Sequence, residues 1–128
     1  MIGIDTEKPF QLEEQQRNGL TVLSAVGPME LIELRQLQST LARLFLEGRR
    51  RVIVDFSEVT TLSSLVVSGF IFFAESFQAG GGEMAVTGAS RSLAEVFGQM
   101  NAYCRINQQT DVPAAIKAMS TPPAGVGM

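Results

Sequence analysis

The stretch that decides the fold runs from residue 52 to residue 77 and reads VIVDFSEVTTLSSLVVSGFIFFAESF. Val52-Ile53-Val54 is a β-branched run of the kind found in a strand buried on both faces and central in its sheet. The run ends in Asp55, the next residues read as a short polar loop, and Ser63 and Ser64 then stand where a strongly apolar helical pattern begins. A helix start leaves its first backbone N–H groups unpaired and its dipole end positive, so a hydroxyl there either caps the helix or carries an anionic group. On a helix, Val66, Val67, Phe70, Ile71, Phe73, Ala74 and Phe77 share one broad arc, the expected core face. Leu65 and Phe72 fall together on the opposite side, with Ser68, Glu75 and Ser76 around them.

Upstream, Pro9–Gln15 and Leu20–Val26 read as two strands joined at Asn18-Gly19, a strong hairpin signal, with the second strand stopping at Gly27-Pro28. From Met29 to Glu47, Leu31, Leu34, Leu37, Leu41, Leu44 and Phe45 recur at helical spacing and predict an amphipathic helix packed on a sheet. Arg49, Arg50 and Arg51 read as a solvated helix-to-strand connection. Downstream, Gly80-Gly81-Gly82 stops the helix and Glu83–Val86 begins a strand. Ser90 caps a predicted helix through Met100, Tyr103–Ile106 reads as a short edge strand, and Asp111 caps a last helix with Pro113 in its first turn. The order β-β-α-β-α-β-α-β-α implies crossovers and mainly parallel pairing, with an antiparallel strand contributed by the opening hairpin.

At 128 residues and 45% hydrophobic content the chain suits one domain, placed at residues 8–119 with flexible termini at 1–7 and 120–128. Ten basic against thirteen acidic residues give a net charge of -3, and no Lys/Arg-rich face would track phosphates, so nucleic acid is not an expected partner. With no His and a single Cys104, the commonest general base and the thiolate zinc site are both missing; neither enzyme chemistry, metal nor cofactor is expected. The lone Cys104 and an N-terminus without a basic or apolar leader pattern point to a reducing, cytoplasmic setting. No segment reaches the ~20 apolar residues of a membrane span.

These residues resemble the STAS domain family, the fold of bacterial anti-sigma factor antagonists. In that family a strand ending L-D-L-S/G leads through V-x-x-I/M to D-S-S/T-G, where a helix opens, and a glycine pair precedes the next strand. Here Val54-Asp55-Phe56-Ser57, Val59-Thr60-Thr61-Leu62 and Gly81-Gly82 are similar, as are Met84–Gly88 with Ser90, and Asp111–Ala118 resembles the closing helix. The resemblance spans roughly residues 8–119 and implies an α/β fold with a mixed, mainly parallel sheet of four to five strands and about four helices. The chain departs from the family at its D-S-S-G motif, where it reads Ser63-Ser64-Leu65-Val66, and the family's G-x-L-D appears as Gly27-Pro28-Met29-Glu30.

The resemblance implies a non-enzymatic, protein-binding role in a partner-switching circuit, with an anti-sigma factor or serine kinase as partner and Ser64 in the phosphorylated position. The contact region is expected at Glu30, Ser63, Ser64, Leu65, Ser68 and Phe72. An alternative is a STAS subunit that clamps the ATPase of a membrane lipid ABC transporter without phosphorylation.

Overall fold

Asn18 and Gly19 both adopt positive φ, 55° and 76°, the two-residue geometry that matches the twist of a β-hairpin. The chain on either side pairs from Arg17↔Leu20 out to Gln11↔Val26. The computed structural model describes residues 9–90, 94–95 and 106–120. Strands β1 (Gln11–Arg17), β2 (Leu20–Met29), β3 (Arg51–Leu62), β4 (Glu83–Thr87) and β5 (Asn107–Gln109) form one sheet in that order. β1 is antiparallel to β2, and every other pairing is parallel.

Val52, Ile53 and Val54 are completely buried in the central strand, as their β-branched run predicts. Their side chains alternate between two cores. On one face Val52 and Val54 meet helices α1 (Leu31–Leu46) and α2 (Ser64–Ala79); on the other Ile53 meets helix α3 (Val112–Ser120). α1 buries Leu34, Leu37, Leu41 and Leu44, and α2 buries Val66, Val67, Phe70, Ile71, Ala74 and Phe77. Phe73, expected with the core, is half-buried at its margin. Edge-to-face contacts of Phe56 with Phe70 (5.1 Å) and Phe45 with Phe77 (5.5 Å) close the helix face of the sheet.

Several boundaries differ from the sequence reading. β1 starts two residues later, at Gln11, and β2 continues through Gly27-Pro28 to Met29. Gly27, at φ 98°, accommodates the irregular register there. The segment read as a polar loop after Asp55 is strand: β3 runs on to Leu62, pairing Glu58 with Val26 and Leu62 with Met29. Helix α1 begins at Leu31 rather than Met29, and Leu31, assigned to the core by periodicity, is 51% exposed because it occupies the first turn. The last strand is Asn107–Gln109; of the expected Tyr103–Ile106, only Ile106 is described, and it precedes the strand. Most of the expected helix from Ser90 to Met100 lies outside the described residues; Ala94 and Glu95 are helical, and the Ala94 N–H donates to the Ser90 carbonyl at 2.8 Å. The proposed termini fall outside as well, except that α3 takes in Ser120.

Side chains fix the element ends. The Ala114 N–H donates to Asp111 Oδ1 at 2.9 Å, so Asp111 caps α3 as expected. The Val66 N–H donates to Ser63 Oγ at 3.2 Å, which makes Ser63 the N-cap of α2. Where β3 and β4 part, Asp55 accepts from the Thr87 hydroxyl and the Ser57 hydroxyl, each at 2.8 Å. Arg43 ties α1 to the edge strand by donating to Glu14, and this bond, with a second to Glu47, raises the guanidinium's pKa above its ordinary value.

Two stability predictions follow from these contacts. Ser63→Ala should lower unfolding free energy by about 1 kcal/mol, while Ser64→Ala changes it by less than about 0.5 kcal/mol, measured by urea denaturation. Asp55→Ala strands the buried Thr87 hydroxyl and should cost about 1–3 kcal/mol in the same experiment; an unchanged midpoint would remove Asp55 from the list of structural anchors.

Candidate functional site

β2 and β3 end level with each other at the Met29↔Leu62 pair, and each strand feeds a helix within two residues. The starts of α1 and α2 are therefore side by side at the carboxyl end of the sheet. Glu30 is the N-cap of α1, and its N–H donates to Glu33 Oε1 at 2.8 Å, one half of a capping box. Ser63 is the N-cap of α2, and Ser64 opens that helix, exposed, with its hydroxyl bonded to no described residue. The pair therefore divides its work: the Ser63 oxygen is taken up by the cap, and the Ser64 hydroxyl is available to chemistry from outside.

Apolar side chains surround these caps. Leu65 is 65% and Phe72 75% exposed, on the solvent face of α2 together with Ser68. Sequence reasoning missed two companions on α1, Leu31 and the 76% exposed Ile32, which extend the patch past Glu30. Ile32 falls outside the leucine series, and that break in periodicity was the signal available. Of the five large exposed hydrophobic residues among those described, Leu31, Ile32 and Leu65 stand at the helix starts, Phe72 follows about two turns along α2 on the face of Leu65, and Leu46 sits at the far end of α1. Single exposed apolar residues are ordinary, whereas several around two helix starts form a surface suited to covering by another molecule.

The two helix starts differ in their electrostatics. α2 presents the unmatched N–H groups and positive dipole end of a helix beside a neutral serine, while Glu30 and Glu33 set negative charge at the start of α1. Val66, where the resemblance expects glycine, is 1% exposed and packs in the core beneath the cap. A concavity of about 420 Å³ lies across the exposed end of β3 and is lined by Ser57, Thr60, Thr61, Gly88 and Ser90 among others. No described helix is long and apolar enough to cross a membrane.

Comparison with known proteins bears on the fold. No curated protein sequence matches the chain. Among solved structures, the anti-sigma factor antagonist SpoIIAA in its unphosphorylated form is similar at a TM-score of 0.70 and 17% identity, over 89% of this chain and all of that one. The Bacillus cell fate determinant SpoIIAA in its phosphorylated form is similar at 0.65 and 18%, over 87% and 99%. An anti-sigma factor antagonist from Mycobacterium paratuberculosis is similar at 0.73 and 12%, over 88% and 96%. At these identities the likeness is one of fold. The STAS domain family model matches residues 11–115, most of the length of the chain. The chain belongs to the STAS domain family.

Proposed function

We propose that this chain is a non-enzymatic regulatory module that captures a protein partner over the paired starts of α1 and α2. The observation that carries the reading is the exposed apolar patch of Leu31, Ile32, Leu65 and Phe72 around Glu30 and Ser64. Burying such side chains stabilises a complex by roughly 25 cal/mol per Å² of apolar surface, less the costs of association. The partner is an anti-sigma factor or serine kinase of a partner-switching circuit, a reading supported by proteins of this fold that are named anti-sigma factor antagonists.

Ser64 is the regulatory position. Phosphorylation would add about -1.5 to -2 charges at the positive end of α2, which the helix tolerates. The same charge beside Leu65 imposes a desolvation cost on an apolar interface, so binding weakens while the fold stays intact. One structural relative is known in a phosphorylated form, which supports the chemistry as compatible with this architecture.

A second reading, a subunit that clamps the ATPase of a lipid ABC transporter, draws on Ser63 and Val66. The cap is kept by a neutral serine and the glycine position is filled by a buried side chain, so the patch can serve as a constitutive contact without a kinase. Co-purification from the native cell separates the readings: a kinase-like partner supports switching, and a transport ATPase supports the clamp.

Leu65→Asp and Phe72→Asp should each reduce partner capture by tenfold or more while shifting the melting temperature little, since both side chains are exposed. A large loss of melting temperature would show instead that they contribute to the core. Incubation with the cognate kinase and ATP, mapped by mass spectrometry, should place phosphate on Ser64 and none on Ser64→Ala. An active kinase that leaves Ser64 unmodified defeats the switching part of the reading.

A further inference from the structure

A seam runs between α1 and α2 from the apolar side chains at the helix starts to an apolar groove at the helix ends. Each helix has 16 residues, about 24 Å of axis, and both leave parallel strands, so they run side by side in one direction. They approach closely near their starts, where a Cβ on Gly69 would lie 2.7 Å from Leu34 Cδ2, and again at the Phe45–Phe77 contact. Leu31, Arg35, Gln38, Ala42 and Leu46 recur along the seam flank of α1 at spacings that keep one helix face. Leu65, Gly69, Ser76 and Gly80 follow the same series on α2. At the carboxyl end the seam opens into a groove of about 360 Å³, walled chiefly by Ala42, Phe45 and Leu46 of α1 and Phe73, Ser76 and Phe77 of α2. Ala42, Leu46 and Ser76 are exposed there.

Charge is confined largely to the two ends. At the helix starts stands Glu30, with Glu33 bonded to its N–H. At the helix ends the Arg50 guanidinium lies 4.1 Å over the Phe45 ring that lines the groove. Arg49 and Arg51 pair with Glu47 and Glu83, whereas no carboxylate among the described residues pairs with Arg50. The seam is therefore apolar where Ala42, Phe45, Leu46, Phe73 and Phe77 line it, polar at Arg35 and Gln38 on the α1 flank nearer the helix starts, acidic at one end and cationic at the other.

We propose that the seam holds an amphipathic α-helix of the protein partner, about fifteen residues long and antiparallel to α1 and α2. Its first turn carries acidic residues against Arg50, and its last turn carries basic residues against Glu30. The proposal rests on the protein-docking reading above and specifies what docks. Both end pairings agree with the charges a helix prefers at its own termini, and antiparallel alignment sets opposite dipole ends together. A second copy of this chain fits less well: α2 has no acidic residue in its first turn and no basic residue in its last, and α1's Arg43 is already bonded to Glu14 and Glu47.

The test uses the full chain, isotopically labelled for NMR, and two synthetic 16-residue helical peptides sharing one leucine stripe. One has Glu in its first turn and Lys in its last; the other has these reversed. In low-salt buffer the first should bind about tenfold more tightly and perturb the amides of Ala42, Phe73 and Ser76 as well as Leu65, and Arg50→Glu should abolish that preference. Equal affinities, no binding by either peptide, perturbation confined to Leu31 and Leu65, or self-association of the chain in place of peptide binding would each overturn the proposal. Ala42→Glu tells the two readings apart with the native partner. If capture survives Ala42→Glu and is lost in Leu65→Asp, the helix-in-seam assignment falls and docking at the helix starts stands; if both variants retain capture, the docking reading itself falls.

Discussion

The rest of the structure depends on the parallel pairing of β2 with β3, which is carried without a break in the ladder's direction from Thr21↔Val52 to Met29↔Leu62. Buried backbone N–H and C=O groups need partners, and this ladder, apart from its two irregularities, runs as far as Met29 and Leu62, the residues just before the two N-caps. Between Ser24↔Asp55 and Val26↔Glu58 the register advances two residues on β2 and three on β3. Between Gly27↔Val59 and Pro28↔Thr61 it advances one and two. The two irregularities thus absorb two extra residues of β3, and the strands finish level. Had they not, the starts of α1 and α2 would be offset along the sheet, and Glu30 would not stand beside Ser64.

That level finish also shapes the surface outside. Two helices that begin together and run together leave a seam between them, and the contact of Gly69 with Leu34 keeps the helices close enough for it to be narrow at its start. A side chain at position 69 would require the Leu34 side chain to shift. The widening toward Phe45, Phe73 and Phe77 follows because these bulky rings take over the contact at the other end. The sheet's second face offers no comparable feature among the described residues, since α3 covers Leu20, Val22, Ile53 and Ala85 there.

Much of this was legible in the sequence because strong periodicity is a physical signal of burial. Val52-Ile53-Val54, the leucines of α1 and the split of α2 into core and solvent arcs all follow from it. What escaped was the outer half of β3. There the residues that pack toward the helices are Phe56, Val59 and Leu62, three apart, because the register irregularities rotate the strand between them. A spacing of three is neither the alternation of a strand nor a sustained helix pattern, so the segment read as a loop. Leu31 misled in the opposite direction: its spacing matches the buried leucines, yet the first turn of a helix projects past the sheet that would cover it. The site residues were readable as types at a helix start, but their assembly with Ile32 required the pairing of two strands that are about thirty residues apart in the chain.

The replacement of the family's aspartate by Ser63 acquires a definite meaning from the geometry. An N-cap needs an oxygen acceptor for the N–H three residues on, and serine supplies it to Val66 as aspartate would. What changes is charge. An aspartate here would add a carboxylate to a rim that already carries Glu30 and Glu33, where any apolar partner must shed water; the serine adds none. The patch formed by Leu31, Ile32, Leu65 and Phe72 is correspondingly easier to desolvate. A phosphate on Ser64 would then add its charge to a rim whose acidic groups, Glu30 and Glu33, lie on the neighbouring helix start.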